Sequence, residues 1–532
     1  MGRWQRYWFA DGGRYAAAVV RITIATSVLL TLVRLHQPVS TGDLPGAHTL
    51  YRPVGIWMLL GHTPPPGWLV TVLWAIAWTS TVAMLVGLAS RAATAASFTS
   101  GVAIAALSFA AQKTWSHQYN VVFLAQLAFL GAYGGDVLSV DALVRKLRKL
   151  PAHDRVRAYQ WSLRLVQLAV ALMFACAAFH KFMHGHFTLR WALSDNLRHQ
   201  LLVRFDLAGL ARPRVVEWII DDPWKYKTAA LLNLVSQATP ILACVFAKRP
   251  VVRALCGLFF VIETIALGLV VDLWNWHWLP LYAVFIDWDW VLRRRGDASN
   301  PPPTWQPPRA ARIFVIAFVA YDAITAIVPG IDQWLNTYPF SGFPMFSTVL
   351  AKPPYGEHQP YGLPGDHFVV TSTPPIDLAA QRWFDHANRG IYAERDPVKL
   401  RARLAVVLAQ AQRRYPMYAF DKIQLWITLY VAAPYPERAH FESHPLGIVG
   451  ELSNLGVYRT MLGKLGPTGV ELAPQNVDAT GATLSYYRDD DATQLPLAAA
   501  NAPLEGDPIY VIATTAAGEP WLVASHADWK WQ

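Results

Sequence analysis

Lys181 is the residue of this chain whose type and position point most directly to chemistry. It follows His180 at the end of an apolar stretch, where a charged side chain is costly in a membrane. A lysine amine that burial keeps neutral can act as a general base toward a lipid-soluble acid. The alternative is a lysine that snorkels to the membrane surface and anchors the helix end. The spacing alone leaves both interpretations open.

A second candidate group lies at the start of another apolar segment. It comprises Trp115, His117, Tyr119 and Asn120. A neutral histidine at such a boundary can donate a hydrogen bond to an oxyanion or relay a proton. The alternative is a rim of aromatic and polar side chains, which is the common use of these residue types at membrane-helix ends.

Two further features concern polar residues inside apolar segments. His180 and His184 are four residues apart, which puts two imidazoles on one helix face. No third ligand is evident and Gly185 is expected to end the helix, so we predict no metal site. Glu263 is a lone acid in an apolar segment, and we expect it to face the bundle, find a hydrogen-bond partner and line a cavity.

The composition indicates what kind of protein must position these residues. Of 532 residues, 54% are hydrophobic and only 15% are charged, so a wholly soluble enzyme and a disordered chain are both excluded. The net charge of +10 does not indicate a nucleic-acid partner, because the basic residues form short runs between apolar segments, as at 145–149 and 293–295. No P-loop, GxGxxG, HExxH or GxSxG motif is present.

The apolar segments predict about nine membrane helices. They lie at 15–35, 68–88, 92–111, 119–133, 161–179, 228–246, 251–271, 274–290 and 313–328. The Lys and Arg bias of four short loops places the N-terminus in the cytoplasm and both candidate groups on the extracytoplasmic side. The long segment 181–227 does not follow this bias, and we expect an interfacial helix in it near 191–203.

The fold class that follows is mainly α, a polytopic membrane helical bundle followed by a smaller α+β extracytoplasmic domain. The predicted domains are 1–332 and 333–532, because no span-length apolar run occurs in the second part. Within that part, the sequence predicts a helix over 396–414, a strand over 423–431, and a hairpin formed by 510–514 and 521–525.

Three short sequences carry a resemblance to a known family. WSHQY at 115–119, LSVD at 138–141 and AAFHKF at 177–182 resemble the membrane domain of vitamin K-dependent gamma-carboxylases, called the horizontally transferred transmembrane domain. The similarity covers about the first 300 residues and implies a bacterial inner or plasma membrane protein. It implies that Lys181 deprotonates reduced vitamin K or another hydroquinone, and that His117 stabilises negative charge. Trp115, Tyr119, Asn120 and His180 are then expected beside the cofactor.

The resemblance also implies a reaction class and partners. A carboxylase-type enzyme would be a lyase or oxidoreductase, would use the reduced quinone to generate a strong base, and would act on a protein or peptide substrate on the extracytoplasmic side. Membrane lipid is a further expected partner. The alternative function is a non-catalytic protein that binds lipid or quinone, or a scaffold that presents the C-terminal domain. A secondary transporter is less favoured, because no paired, broken helices occur in two corresponding halves.

Overall fold

The computed structural model describes a helical bundle in the first part of the chain and a set of strands in the last part. Apart from a few single positions, it describes residues 2–35, 51–110, 117–151, 156–206, 211–292, 307–328 and 337–347. After residue 358 it describes the backbone of the strands and a few isolated helical residues.

In the described residues, the bundle consists of α-helices with three stretches of 3₁₀-helix. The α-helices are α1 (Arg3–Trp8), α2 (Arg14–Leu35), α3 (Gly67–Val86), α4 (Ser90–Ser108), α5 (Asn120–Phe129), α6 (Val140–Leu147), α7 (Val156–His184), α8 (Arg190–Leu193), α9 (Asn196–Asp206), α10 (Arg214–Ile220), α11 (Pro223–Ala238), α12 (Leu242–Val245), α13 (Pro250–Val271), α14 (Trp288–Leu292) and α15 (Arg309–Ile327). The 3₁₀-helices are Gly55–Leu60, Thr239–Ile241 and Trp276–Phe285.

Six helices among the described residues are long and apolar enough to cross a membrane. They cover Arg14–Leu35, Gly67–Val86, Ala158–His184, Pro223–Val245, Pro250–Val271 and Arg309–Ile327. A span needs about 20 predominantly apolar residues, and each of these helices supplies that length. The chain is therefore an integral membrane protein, and these six helices agree with six of the segments that hydropathy predicts.

The other three predicted segments take different forms. Segment 92–111 contains α4, which is rich in Ser, Thr and Ala and is not apolar enough to count as a span. Segment 119–133 contains only the ten-residue helix α5. Segment 274–290 contains the 3₁₀-helix Trp276–Phe285, with Pro280 inside it, and then α14. Proline lacks the N–H that a continuous α-helix needs at that position. The total of nine spans stays a prediction.

Buried and partly buried polar side chains connect the helix ends. Asp141 accepts hydrogen bonds of 2.8 and 2.9 Å from two backbone N–H groups at the start of α4. Asp289 accepts two of 3.1 Å at the start of α2. A carboxylate at a helix N-terminus satisfies donors that have no partner within the helix. Arg21, which is fully buried, donates to the carbonyl of Leu138 at 2.6 Å. The LSVD sequence therefore connects α2, α4 and α6.

The short helices α8, α9 and α10 fill the segment between α7 and α11. The first two occupy the region that the sequence predicts as helical near 191–203. Their apolar side chains are buried against α11: Trp191 packs on Ala230, and Leu201 packs near Tyr226. These helices form a cover over one end of α7, α11 and α13.

The last part of the chain forms antiparallel strands. They are β1 (Gln359–Tyr361), β2 (His367–Thr371), β3 (Lys422–Ala432), β4 (His440–Val449), β5 (Gly463–Gly466), β6 (Gly469–Leu472), β7 (Thr483–Arg488), β8 (Gln494–Leu497), β9 (Pro508–Thr514) and β10 (Pro520–Ser525). One sheet has β3 paired with β1, β2 and β4, a second has the order β10-β9-β7-β8, and β5 pairs with β6. The helix predicted over 396–414 lies almost entirely outside the described residues. The α+β domain as a whole stays a prediction.

Candidate functional site

Lys181 lies in the last turn of α7 with its side chain directed into the bundle. Only 1% of the residue is exposed. Its Nζ donates to Oδ1 of Asn233 at 2.7 Å and to Oε1 of Gln237 at 2.8 Å. Side chains of helical residues point back toward the helix N-terminus, so a lysine near the C-terminal end reaches inward. The snorkelling alternative does not fit this geometry, because the amine is hydrogen-bonded inside the bundle.

Glu263 on α13 completes this arrangement. Its Oε1 accepts from Nδ2 of Asn233 at 2.5 Å and from Nε2 of Gln237 at 2.8 Å, and its Oε2 accepts from the Ser236 hydroxyl. In each amide, the oxygen therefore accepts a hydrogen bond from the lysine and the nitrogen donates one to the glutamate. The expectation that Glu263 faces the bundle and finds hydrogen-bond partners is confirmed.

The two amides lie between the amine of Lys181 and the carboxyl group of Glu263. We call Lys181, Asn233, Ser236, Gln237 and Glu263 the lysine cluster. The N–H groups of Lys181 donate to both amide oxygens and an ionised glutamate can only accept, so the two ends fix the orientation of both amides. Removing charges from water costs several kcal/mol per ion unless their hydrogen bonds are satisfied. In the lysine cluster, the amides and the hydroxyl supply these bonds.

The three neutral members of the cluster come from one face of α11. Asn233, Ser236 and Gln237 are spaced i, i+3 and i+4, which places their side chains next to one another on a helix. Sequence reasoning missed these residues. The signal that could have found them is a group of polar residues at helical spacing inside an apolar segment.

A cavity of about 380 Å³ lies beside the lysine cluster. Lys181, Asn233, Ser236 and Glu263 contribute its polar wall, and apolar residues of α9, α10, α11 and α13 form most of the rest. Trp191 also lines it, and Nζ of Lys181 is 4.4 Å from a ring centroid of that tryptophan. This contact is within the range of a cation–π interaction. Ligand sites in proteins are commonly apolar cavities of about 300–1,000 Å³ with a few polar groups.

His117 lies in a different polar group. Its Nδ1 is 2.5 Å from the Ser341 hydroxyl, and its ring packs on Phe343 with the centroids 6.2 Å apart. Tyr119, the next aromatic residue along the chain, packs against His277 with the rings tilted by 40° and their centroids 5.4 Å apart. We call His117, Tyr119, His277, Ser341 and Phe343 the histidine cluster.

Hydrogen bonds from the 3₁₀-helix Trp276–Phe285 hold the turn that carries His117. The carbonyl of Gln118 lies 2.8 Å from Nε2 of His277 and accepts from Nε1 of Trp278 at 2.6 Å. Burial lowers the pKa of His277 to about 4, the carbonyl of Gln118 opposes this shift, and Arg34 adds to it. The imidazole of His277 is therefore neutral at pH 7 and donates its Nε2–H to this carbonyl.

The remaining predicted site residues have separate positions. Asn120 is fully buried and donates to the carbonyl of Pro339 at 2.7 Å. Trp115 lies outside the described residues. His180 is buried on α7, and a methyl group added at Gly342 would come within 2.8 Å of its Nε2. Residues 337–347, which the prediction assigns to the second domain, thus contact the bundle.

The structure places the two predicted catalytic residues in two clusters. Lys181 lines the cavity and His117 is not among its lining residues. His180 and Lys181 are adjacent in α7 and contact different elements, with His180 next to Gly342 and Lys181 next to α11. The histidine cluster reaches α7 through residues 341–342. The prediction that Lys181 and His117 act on one substrate stays a prediction.

Comparisons with models of protein families, with curated proteins and with solved structures find no match to this chain.

The lysine cluster can accept a proton from a ligand in the cavity. A neutral amine has two N–H groups and one lone pair, and the oxygens of Asn233 and Gln237 accept both N–H groups. Proton transfer to Nζ would create a cation, which Glu263 balances through the two amides. The face of Trp191 stabilises the same cation. This arrangement combines a base with a prepared counter-charge.

Proposed function

We propose that this protein is an integral-membrane enzyme that uses Lys181 as a general base toward a hydroquinone or a similar lipid-soluble acid. The observation that carries the proposal is the position of the Lys181 amine, which is buried, has two amide acceptors and lines an apolar cavity of about 380 Å³. A weakly acidic hydroxyl in that cavity would contact the lone pair of a neutral Nζ, since the two amide oxygens accept its N–H groups.

The donor set of the cavity is compatible with a reduced quinone. A hydroquinone is a flat apolar ring with two hydroxyl groups, and the cavity offers an apolar wall with polar groups on one side. Reduced vitamin K or another hydroquinone would supply the acidic hydroxyl and two electrons, and dioxygen would be the oxidant that accepts them. In this proposal Lys181 takes the proton at Nζ, Asn233 and Gln237 hold the amine in place, and Trp191 and Leu201 exclude water.

The resemblance to vitamin K-dependent gamma-carboxylases supports the same assignment for Lys181. We propose a carboxylase-type reaction on a protein or peptide as the finer form of this function. His117 would then stabilise negative charge only if ligand binding joined the histidine cluster to the cavity.

A non-catalytic lipid or quinone binder is the second candidate. It is favoured by the contact between His117 and Ser341, which occupies Nδ1 of the histidine away from the cavity lining. A binder needs the cavity and the hydrogen bonds of the lysine cluster but no second catalytic group. Catalytic turnover of the hydroquinone distinguishes the enzyme from the binder.

The experiment compares Lys181→Ala with a matched variant, Lys225→Ala, on the purified full-length protein. Lys225 lies on α11 and pairs with Asp221 and Asp222 at the surface. We expect Lys181→Ala to abolish hydroquinone oxidation and Lys225→Ala to retain it. Unchanged oxidation in the Lys181 variant removes the base assignment. Hydroquinone binding without oxidation in the unmodified protein establishes the binder instead.

The topology is a further part of the proposal. We propose that the N-terminus is cytoplasmic and that about nine membrane segments place an α+β domain on the extracytoplasmic side of a bacterial membrane. The support is the Lys and Arg bias of the short loops. A cysteine at Ser443, in β4, should then react with an impermeant thiol reagent in whole cells. Labelling only after lysis reverses the orientation.

A further inference from the structure

The walls of the cavity beside Lys181 differ in how much of their side chains is exposed. Toward the end of the bundle, Trp191, Leu201 and Ile219 cover it, and these residues are only 1%, 1% and 6% exposed. Leu197 and Gln200 of α9 also line the cavity and are partly exposed. The cover formed by α8, α9 and α10 is therefore largely closed to water in the described residues.

The side wall between α11 and α13 is different. Leu232, Val235 and Ile262 line the cavity, and 63%, 57% and 47% of their surfaces are exposed. The same apolar side chains thus form both the inner wall and the outer surface. Both helices belong to the six that can cross a membrane, so this surface faces the acyl chains of lipids.

The cavity has a polar end and an apolar end, and these ends fix the orientation of a ligand inside it. The polar end of the cavity is at Lys181 and Glu263, and its apolar end is at the outer faces of α11 and α13. A ligand that fits has a polar head and a single apolar chain. The head would reach the lysine cluster while the chain passes between the two helices.

We infer that the cavity is a binding site for a membrane-dissolved amphiphile that enters sideways from the bilayer between α11 and α13. Its chain lies between Leu232 and Val235 on one helix and Ile262 on the other, and its head contacts the lysine cluster. This inference extends the proposed function, because it names the route and the chain. It does not require that the ligand be oxidised.

The test uses the full chain in lipid nanodiscs and a decyl hydroquinone that carries a photoreactive diazirine on its chain. We expect light-dependent adducts on the peptides that contain Leu232, Val235 and Ile262. An excess of decyl hydroquinone without the diazirine should suppress them, whereas unsubstituted hydroquinone should not. Adducts of equal yield at Ile316, an exposed residue of α15, with no suppression, would show simple partition into lipid and overturn the inference.

Two variants test the route. Ala266→Trp fills the cavity from α13 one turn after Glu263, and Leu232→Trp adds bulk at the exposed rim. We expect each to lower the suppressible adducts by about tenfold, while Ile316→Trp leaves them unchanged. If Ala266→Trp does not fold, Leu232→Trp decides the outcome, because its side chain is largely exposed. Unchanged adducts in a folded rim variant contradict sideways entry.

The outcome also separates this inference from the proposed function. Lys181→Ala should stop oxidation but keep chain adducts at α11 and α13, because the chain contacts do not involve the amine. Adducts in a protein that never oxidises the probe support the route and remove the enzyme proposal. Oxidation of the probe without suppressible adducts supports the enzyme proposal and contradicts the sideways route.

Discussion

The lysine cluster and the histidine cluster are both buried polar groups at the same end of the bundle, and they are built in opposite ways. The lysine cluster contains two charged groups whose side-chain bonds come from three spanning helices. The histidine cluster contains no Lys, Arg, Asp or Glu side chain, and its bonds come from a turn, a 3₁₀-helix and residues 337–347. Regular helices hold the side chains of the lysine cluster, whereas mostly irregular backbone holds those of the histidine cluster.

This difference indicates what each cluster can do. Spanning helices hold their side chains rigidly, so the lysine cluster is suited to position an amine against a ligand. Loops and short 3₁₀ stretches open at lower free energy than packed helices. The histidine cluster is therefore suited to fastening residues 337–347 to the bundle. The comparison predicts that removing a charge from the lysine cluster costs more stability than protonating or truncating a member of the histidine cluster.

The largest effect is expected for Glu263→Ala. This change leaves Lys181, when protonated, without a counter-charge in a buried place, and it removes the acceptor of three side-chain donors. Breaking a buried ion pair from one side costs about 3–5 kcal/mol. We expect a corresponding loss in the free energy of unfolding, measured by thermal denaturation in detergent.

A double variant provides the control for this prediction. Lys181→Met with Glu263→Gln removes both charges and keeps an amide in contact with Ser236. Replacing both partners of a buried pair is often close to neutral. The double variant should therefore be more stable than Glu263→Ala alone. If it is equally unstable, packing and not charge dominates the cluster.

The sequence predicted the parts of the structure that depend on local hydropathy. Runs of about 20 apolar residues identify the six spans, but the same criterion also selected three segments that do not form long apolar helices. Lys181 and Glu263 were identifiable because a charge inside such a run is costly. Pro280 and the short α5 show the limit, because hydropathy measures apolar length and not helical geometry.

The partners within each cluster could not be predicted in the same way. Asn233 and Gln237 are neutral, and only the packing of α11 against α7 and α13 shows that they join Lys181 to Glu263. Ser341 is 224 residues from His117 in the chain, so no local pattern connects them. The sequence could predict the charged residues of the site but not the groups that satisfy them.

The second prediction concerns pH and the histidine cluster. Burial lowers the pKa of His277 to about 4, from an ordinary value of 6.5. Between these values the unfolded chain binds a proton that the folded chain does not, so the free energy of unfolding falls as the pH falls. The full stability is present above pH 6.5, and the loss approaches about 3 kcal/mol near pH 4.

Replacement of His277 measures this contribution. His277→Gln retains a side-chain N–H that can donate to Gln118 but does not titrate, so its Tm should depend less on pH between about 4 and 6.5. His184→Gln, at an exposed histidine of α7, should keep the pH dependence of the unmodified protein. Equal slopes for His277→Gln and the unmodified protein would mean that another group titrates.

The smallest effect is expected for Ser341→Ala. The variant loses the contact with Nδ1 of His117 and the 3.1 Å bond from the Phe343 N–H, which together contribute about 1–2 kcal/mol to stability. Hydroquinone affinity at the cavity should change less than twofold, because Ser341 is not among the lining residues. The measurement is equilibrium binding of decyl hydroquinone to the protein in nanodiscs. A loss of affinity of about tenfold or more contradicts the separation of the two clusters, and it places His117 and Lys181 in a single site.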